Sequence, residues 1–193
     1  MEAWTEVNLV TRRPLDRDVL VDVVDPLVHD ELGGEIETWF FFWEPDLRLR
    51  IRWRDPQHVD ENRGRLATSL DRAGSIRRWY EGAHGEEGKT YAGEAEHYGE
   101  DVWPGIQKDW MNGSELALLV LKLERESRLA RPRDYHWQRH VHLFTNQLFG
   151  SWEDEIALCL RQALGYIRLS GGTTREVRKL IAELGELSGR RGR

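Results

Sequence analysis

Sulfur is scarce in this chain, with one cysteine, Cys159, and two methionines among 193 residues. A lone cysteine excludes an intrachain disulfide and a cysteine-rich zinc site. Cys159 sits in an apolar helical pattern, where it reads as a small buried hydrophobe. No apolar run approaches the roughly 20 residues of a membrane-spanning helix, and the N-terminus, with Glu2 and Glu6, lacks the charge pattern of a signal peptide. A cytoplasmic protein with no membrane partner is expected. Positive charge is also short: 28 Lys and Arg face 34 Asp and Glu, for a net charge of -6, which disfavours DNA and generic nucleic-acid binding. No serine lies in a strand–turn–helix elbow, so serine-based nucleophilic catalysis has no support. The length suits one domain with a real core.

Tryptophan, by contrast, is abundant at nine residues, and the chain is organised around one aromatic and cationic stretch, Trp39 to Arg54. From Leu47 it alternates Leu47, Leu49, Ile51 and Trp53 with Arg48, Arg50, Arg52 and Arg54, the period of a β-strand. All four guanidinium groups then share one sheet face, suited to carboxylates or phosphates. The plainer reading is a solvated face paired with glutamates on neighbouring strands. The preceding run, Ile36 to Trp43, is almost wholly apolar and predicts a central strand, joined by Glu44-Pro45-Asp46 as a hairpin.

In chain order, Trp4 to Val10 predicts an opening strand. Asp16 is positioned to cap a helix running to about Leu32 that Pro26 kinks or divides in two. Asp55-Pro56 starts a helix to about Ala73, Ile76 to Tyr80 is a further strand, and Gly82 to Gly88 a turn. Beyond Glu100 the pattern is helical: a helix capped by Ser114, then Tyr135 to Leu148, Trp152 to Leu169, and a last one capped by Thr173 or Thr174. The fold class is therefore α+β: a single domain, mostly antiparallel sheet with helices packed on one face and a helical C-terminal half. Residues 1–170 would form that domain, and 171–193 a C-terminal helix and basic tail.

Three clusters offer chemistry: the arginine strand, the ionisable loop Thr90 to Gly99, and His140 to Gln147, where His142 and Asn146 lie one helical turn apart. His136 and His140 share that spacing, but Trp137 stands where a metalloprotease motif needs glutamate, so no metal is expected. Histidine and glutamate acid–base chemistry beside an arginine-held anion remains, a combination suited to an elimination.

The segments Trp4 to Val10, Asp25-Pro26-Leu27-Val28, Trp39 to Arg52, Tyr91 to Gly99 and His142 to Gly150 are similar, in that order, to the C-terminal glutamate-elimination domain of class I lanthipeptide dehydratases and its stand-alone thiopeptide-type relatives. The resemblance spans Trp4 to Arg168. It implies a lyase of ribosomal peptide natural product biosynthesis that needs no cofactor. Its substrate would be a precursor peptide, leader and core, glutamylated on serine or threonine by a separate protein that uses glutamyl-tRNA. Arg48, Arg50, Glu94 and His142 match the family's catalytic positions, and Arg52, His97, Tyr98, His140 and Asn146 would help bind substrate. Asp46, Gly93, His97, Glu100 and Gln147 depart from the motifs, which have histidine, proline, arginine, glycine and arginine there. The interval from Tyr98 to His140 is also short for the family. Two alternatives stay open: a pyridine synthase that joins two dehydroalanines with loss of the leader, and a non-catalytic peptide-binding partner of a dehydratase. A homodimer burying exposed tryptophans is a further option.

Overall fold

The computed structural model describes residues 3–13, 16–43 and 46–133, together with the isolated positions Tyr135, His136, Arg139, Thr173, Arg175, Lys179 and Ala182. The chain divides into two compact units, residues 1–133 and 134–193. The helices expected beyond Tyr135 and the boundary expected at residue 170 lie outside the described residues.

Four strands, β1 (Trp4–Thr11), β2 (Ile36–Trp43), β3 (Leu47–Trp53) and β4 (Ile76–Glu81), form one antiparallel sheet in the order β2-β3-β1-β4. The α+β class is thus as expected, but the aromatic strand, expected to be central, is the outer one among the described strands. The arginine strand β3 is internal, and the aromatic strand β2 lies at the edge of the sheet. An edge strand this apolar is buried because helix α3 (Trp103–Arg125) runs against it. The Phe41 N–H, which no described strand reaches, donates to Ser114 Oγ at 3.1 Å. Ser114 therefore sits inside α3, not at its start, and its own hydroxyl donates to Trp110 O. The helix begins at Trp103, with Pro104 in its first turn, where the missing N–H costs nothing.

Alternation divides the sheet into two buried faces. On one, Val7, Leu9, Trp39, Leu47, Leu49, Ile51 and Trp53 pack with Val24, Leu27 and Val28, and with Leu66 and Leu70 of helix α1 (Val59–Arg72). Burial of each large side chain contributes about 1.5–3 kcal/mol. The expected helix from Asp16 to Leu32 is present as a continuous helical run from Asp18 to Glu31, with two π-helical stretches, Leu20–Val24 and Leu27–Glu31, either side of Pro26. Proline has no N–H to donate four residues back, and the flanking turns close with wider bonds, Asp25 N–H to Leu20 O and Leu32 N–H to Leu27 O. Asp16 makes no side-chain cap; its backbone carbonyl accepts from Val19 N–H. Asp55 does cap, accepting from Gln57 N–H at 2.8 Å ahead of α1.

Candidate active site

Arg48, Arg50 and Arg52 point to the second face. Register sets their neighbours: β1 places Asn8, Glu6 and Trp4 opposite them, and β2 places Phe42, Phe40 and Thr38. The segment after β4, from the Gly82 turn through the short helix α2 (Ala95–Tyr98) into α3, folds over this face. Trp4, Phe40, Ala83, Tyr91 and Trp103 form its buried aromatic cluster, with Trp4 edge-on to Tyr91 at 5.4 Å and to Phe40 at 5.7 Å.

Arg50 is the centre of the arrangement and is only 3% exposed. Its Nε–H donates to Glu6 Oε2 at 2.6 Å, its Nη1 donates to Glu94 Oε1, and its Nη2 lies 3.4 Å from His84 Nδ1. The guanidinium also stands over the rings of Tyr91 at 4.3 Å and Phe42 at 5.1 Å, where ring quadrupoles favour a cation. Burial works against this charge, but the acidic groups around it, Tyr91, Glu6 and Glu94, outweigh burial and hold its pKa above the ordinary arginine value. Burial likewise pushes the Tyr91 phenol far above its ordinary range, against the pull of Arg50, so the group stays protonated. Glu6 is 1% exposed, and its pairing with Arg50 is what makes a buried carboxylate tolerable on an inner strand.

Beside Arg50 a cleft of about 720 Å³ opens, lined by Phe42, Arg48, Arg50, His84, Gly93, Glu94, Glu96, His97, Tyr98 and Trp110. Its volume lies in the range of small-molecule sites. Two arginines and two imidazoles meet two carboxylates there, and Phe42 and Trp110, edge-on at 5.0 Å, form an apolar wall. His84 sits in the left-handed backbone region, φ 55° and ψ 27°, which is strained for a residue with a side chain. The turn that holds it is tied down by Asn8 Nδ2 donating to Gly82 O at 2.6 Å and by Tyr80 OH donating to Gly85 O at 3.2 Å.

Five residues expected from the sequence therefore meet in one cleft: Arg48, Arg50, Glu94, His97 and Tyr98. Arg52 shares their face but does not line the cleft. Its Nη1 donates to Gln107 Oε1 at 3.1 Å and its Nε lies 3.2 Å from Glu37 Oε2, which ties β3 to α3 and to β2. Arg54 lies past the end of β3, and its Nη2 donates to Ile36 O. His140, His142 and Asn146 lie outside the described residues.

The sequence profile of the lantibiotic biosynthesis dehydratase C-terminal family matches residues 4–184. The chain belongs to this family. Among solved structures, it is similar to the crystal structure of the tRNA-dependent lantibiotic dehydratase MibB from Microbispora sp. 107891, with a TM-score of 0.52 and 22% identity over 64% of this chain. The chain spans 12% of the length of MibB. No curated protein matches the sequence. Membership ties the chain to lantibiotic-type biosynthesis, and it sets the residues that sequence reasoning missed in context. Glu6, His84, Tyr91, Phe42 and Trp110 build the cleft of this dehydratase-family unit as much as the motif residues do. Tyr91 and Phe42 lie in stretches the sequence had singled out, without a role, and Glu6 left a trace of its own: Trp4, Glu6 and Asn8 alternate with Thr5, Val7 and Leu9, so an acid had to share a strand face with the first tryptophan.

Proposed function

We propose that this cleft eliminates glutamate from glutamylated serine or threonine residues of a precursor peptide, leaving a dehydroamino acid. The observation that supports it most directly is a carboxylate seat. Arg50 already holds the Glu94 carboxylate at the mouth of a cleft whose other cation, Arg48, lies on the same strand face. The substrate's glutamyl carboxylates would lie against Arg48 and Arg50. A base removes the Cα proton, the pair from that bond forms the Cα–Cβ double bond, and the Cβ–O bond breaks with its electrons leaving on glutamate. Charge grows on the departing carboxylate, so the arginines bind it more tightly in the transition state than in the ester.

In this reading the base is His142 and Asn146 helps bind substrate, both roles carried over from the family motif alone, since the two residues lie outside the described residues. Glu94 holds Arg50 in place, and His97 supplies a hydrogen-bond donor where the motif has arginine. Phe42, Tyr98 and Trp110 shield the reacting ester from water, which favours elimination over hydrolysis. Arg52, expected to bind substrate, acts instead by positioning α3 through Gln107, and the substrate-binding role of His140 rests on the family resemblance alone.

The test is intact-mass spectrometry of a serine-glutamylated precursor peptide incubated with the protein. The expected product is one water lighter than the unmodified peptide, and Arg48→Ala and His142→Ala should abolish it with the fold intact. An unchanged mass, or hydrolysis back to serine, would overturn the proposal. One observation favours a pyridine synthase instead: Glu6 and Glu94 both engage Arg50, so the cleft has less spare positive charge than a glutamate clamp requires. A peptide carrying two dehydroalanines would then lose its leader on incubation.

A further inference from the structure

The sheet has one edge that no described element covers. β2 is closed by α3, whereas β4 pairs with β1 and with no other described strand. At the far end of β4 the Glu81 carbonyl accepts from Gly88 N–H, so the turn seals that end. Between Ile76, whose N–H is taken by Ala73 O, and Tyr80, no described strand pairs with the outer side of β4.

Arginines gather at this edge. Arg72 ends α1, Arg77 and Arg78 lie on β4, and Arg12 and Arg13 follow β1. The hydrogen bond from Arg12 N–H to Ser75 O brings the end of β1 to the entry of β4. All five are exposed. Arg78 meets Glu87 at 3.0 Å and lies over the Tyr80 ring. Arg12, Arg13, Arg72 and Arg77 have no ion pair or side-chain hydrogen bond among the described residues. That is unusual in this chain, whose net charge is -6 and whose Arg50, Arg63, Arg65, Arg125, Arg128 and Arg133 each meet a carboxylate. Asp71, which lines a hollow with Arg77 and Arg78, accepts from Trp79 Nε1.

Charge on an edge strand, and a bulge such as the register shift between Val10 and Thr11, prevent a sheet from pairing with copies of itself. The same charges leave the edge open to a strand of opposite sign. We propose that the β4 edge docks an extended acidic peptide segment by strand addition. Backbone pairing along Ile76 to Tyr80 would supply affinity, and the arginines would select acidic side chains. A hollow of about 300 Å³ beside the strand, where Asp71, Arg77, Arg78 and Trp79 surround Leu70, Ala73 and Ile76, receives one side chain. The surface favours a peptide over nucleic acid because Trp79, the one indole beside it, is tethered through Asp71 and half-buried, whereas single strands need free rings on which bases stack.

The probe is a labelled synthetic peptide alternating glutamate and threonine around one leucine, titrated into the full chain by fluorescence anisotropy, with amide exchange read in parallel. Binding is expected to weaken with salt, to fall about tenfold in Arg12→Glu/Arg77→Glu, and to slow exchange at Ile76 to Tyr80. These substitutions are on the surface, so the fold is retained. Absence of binding, equal binding of a lysine–threonine peptide, an unchanged affinity in the double variant, or protection confined to other segments would each overturn the proposal. Tighter binding of a single-stranded oligonucleotide at the same salt would also overturn it and assign the edge to nucleic acid. The cleft variant Arg48→Ala should bind the probe like the wild type, so failure of the elimination reading leaves this result readable.

Discussion

Replacing Glu6 with glutamine tests the buried pair that fixes Arg50. The Nε to Oε2 distance is 2.6 Å and both side chains are almost wholly buried. Opposite charges about 4 Å apart attract by about 4 kcal/mol at an effective dielectric constant near 20. Glutamine keeps an acceptor for the Nε–H and loses the charge, while Glu94 still compensates part of the arginine. It also adds an amide N–H2 where Glu6 Oε1 has no hydrogen-bond partner among the described residues, and an unsatisfied buried donor costs about 1–3 kcal/mol. Together these give a loss of about 2–4 kcal/mol. Arg50→Met leaves Glu6 buried without its cation and should cost about 3–5 kcal/mol. In Glu6→Leu/Arg50→Met neither charge is stranded, so the double variant should be more stable than the two single losses predict, by about 2 kcal/mol. Urea unfolding at constant m-value reads all three. A Glu6→Gln loss below about 0.5 kcal/mol, or strict additivity in the cycle, would refute the view that Glu6 and Arg50 act as one unit.

His29 bridges Asp25 at 2.9 Å and Glu115 at 3.0 Å; burial works against its charge, but the two carboxylates outweigh it and raise its pKa above 6.5. Because the folded pKa is the higher, the stabilisation is full below the unfolded value of about 6.5 and fades as pH rises through the folded one. His29→Gln should therefore cost more at pH 6 than at pH 8.5, by only about 0.5 kcal/mol given the solvent screening at this half-exposed site, as paired urea titrations will show. Ser114→Ala removes the acceptor for Phe41 N–H and should cost about 1–2 kcal/mol, with faster amide exchange at Phe41; unchanged exchange there would contradict the role given to Ser114. His84→Gly relieves the left-handed strain at φ 55°, so thermal unfolding should show no loss of stability, while turnover of the glutamylated peptide falls if the imidazole serves the cleft.

The arginine face was legible because period two is a local property, and Leu47 to Trp53 declares it in seven residues. The bounds of α1 were legible for a similar reason, since Asp55-Pro56 carries its own cap. Strand order was not. A run such as Trp39 to Trp43 states that both faces are buried, and it does not say whether strands or a helix cover the flank. Here the cover is α3, held through Ser114 in a segment more than a strand's length away in sequence. Glu6 and His84 were unreadable as site residues because their meaning comes from tertiary register. Glu6 is opposite Arg50 only once β1 pairs with β3, and His84 faces the guanidinium only once the Gly82 turn is pinned by Asn8.

That dependence explains why an arginine occupies the middle of the sheet. A buried cation needs partners in several directions, and a guanidinium has donors in a fixed plane. Arg50 uses the plane fully: Nε toward β1, Nη1 toward the loop before α2, Nη2 toward the turn after β4, with Tyr91 and Phe42 against its faces. One side chain thus joins β3 to β1 and to two points of the segment that follows β4, and the cleft exists where they meet. A lysine there would keep the charge and lose this geometry, since an ammonium offers a point and no plane. The anion-binding chemistry and the closure of the second core are therefore the same interaction, and neither can be altered at Arg50 without altering the other.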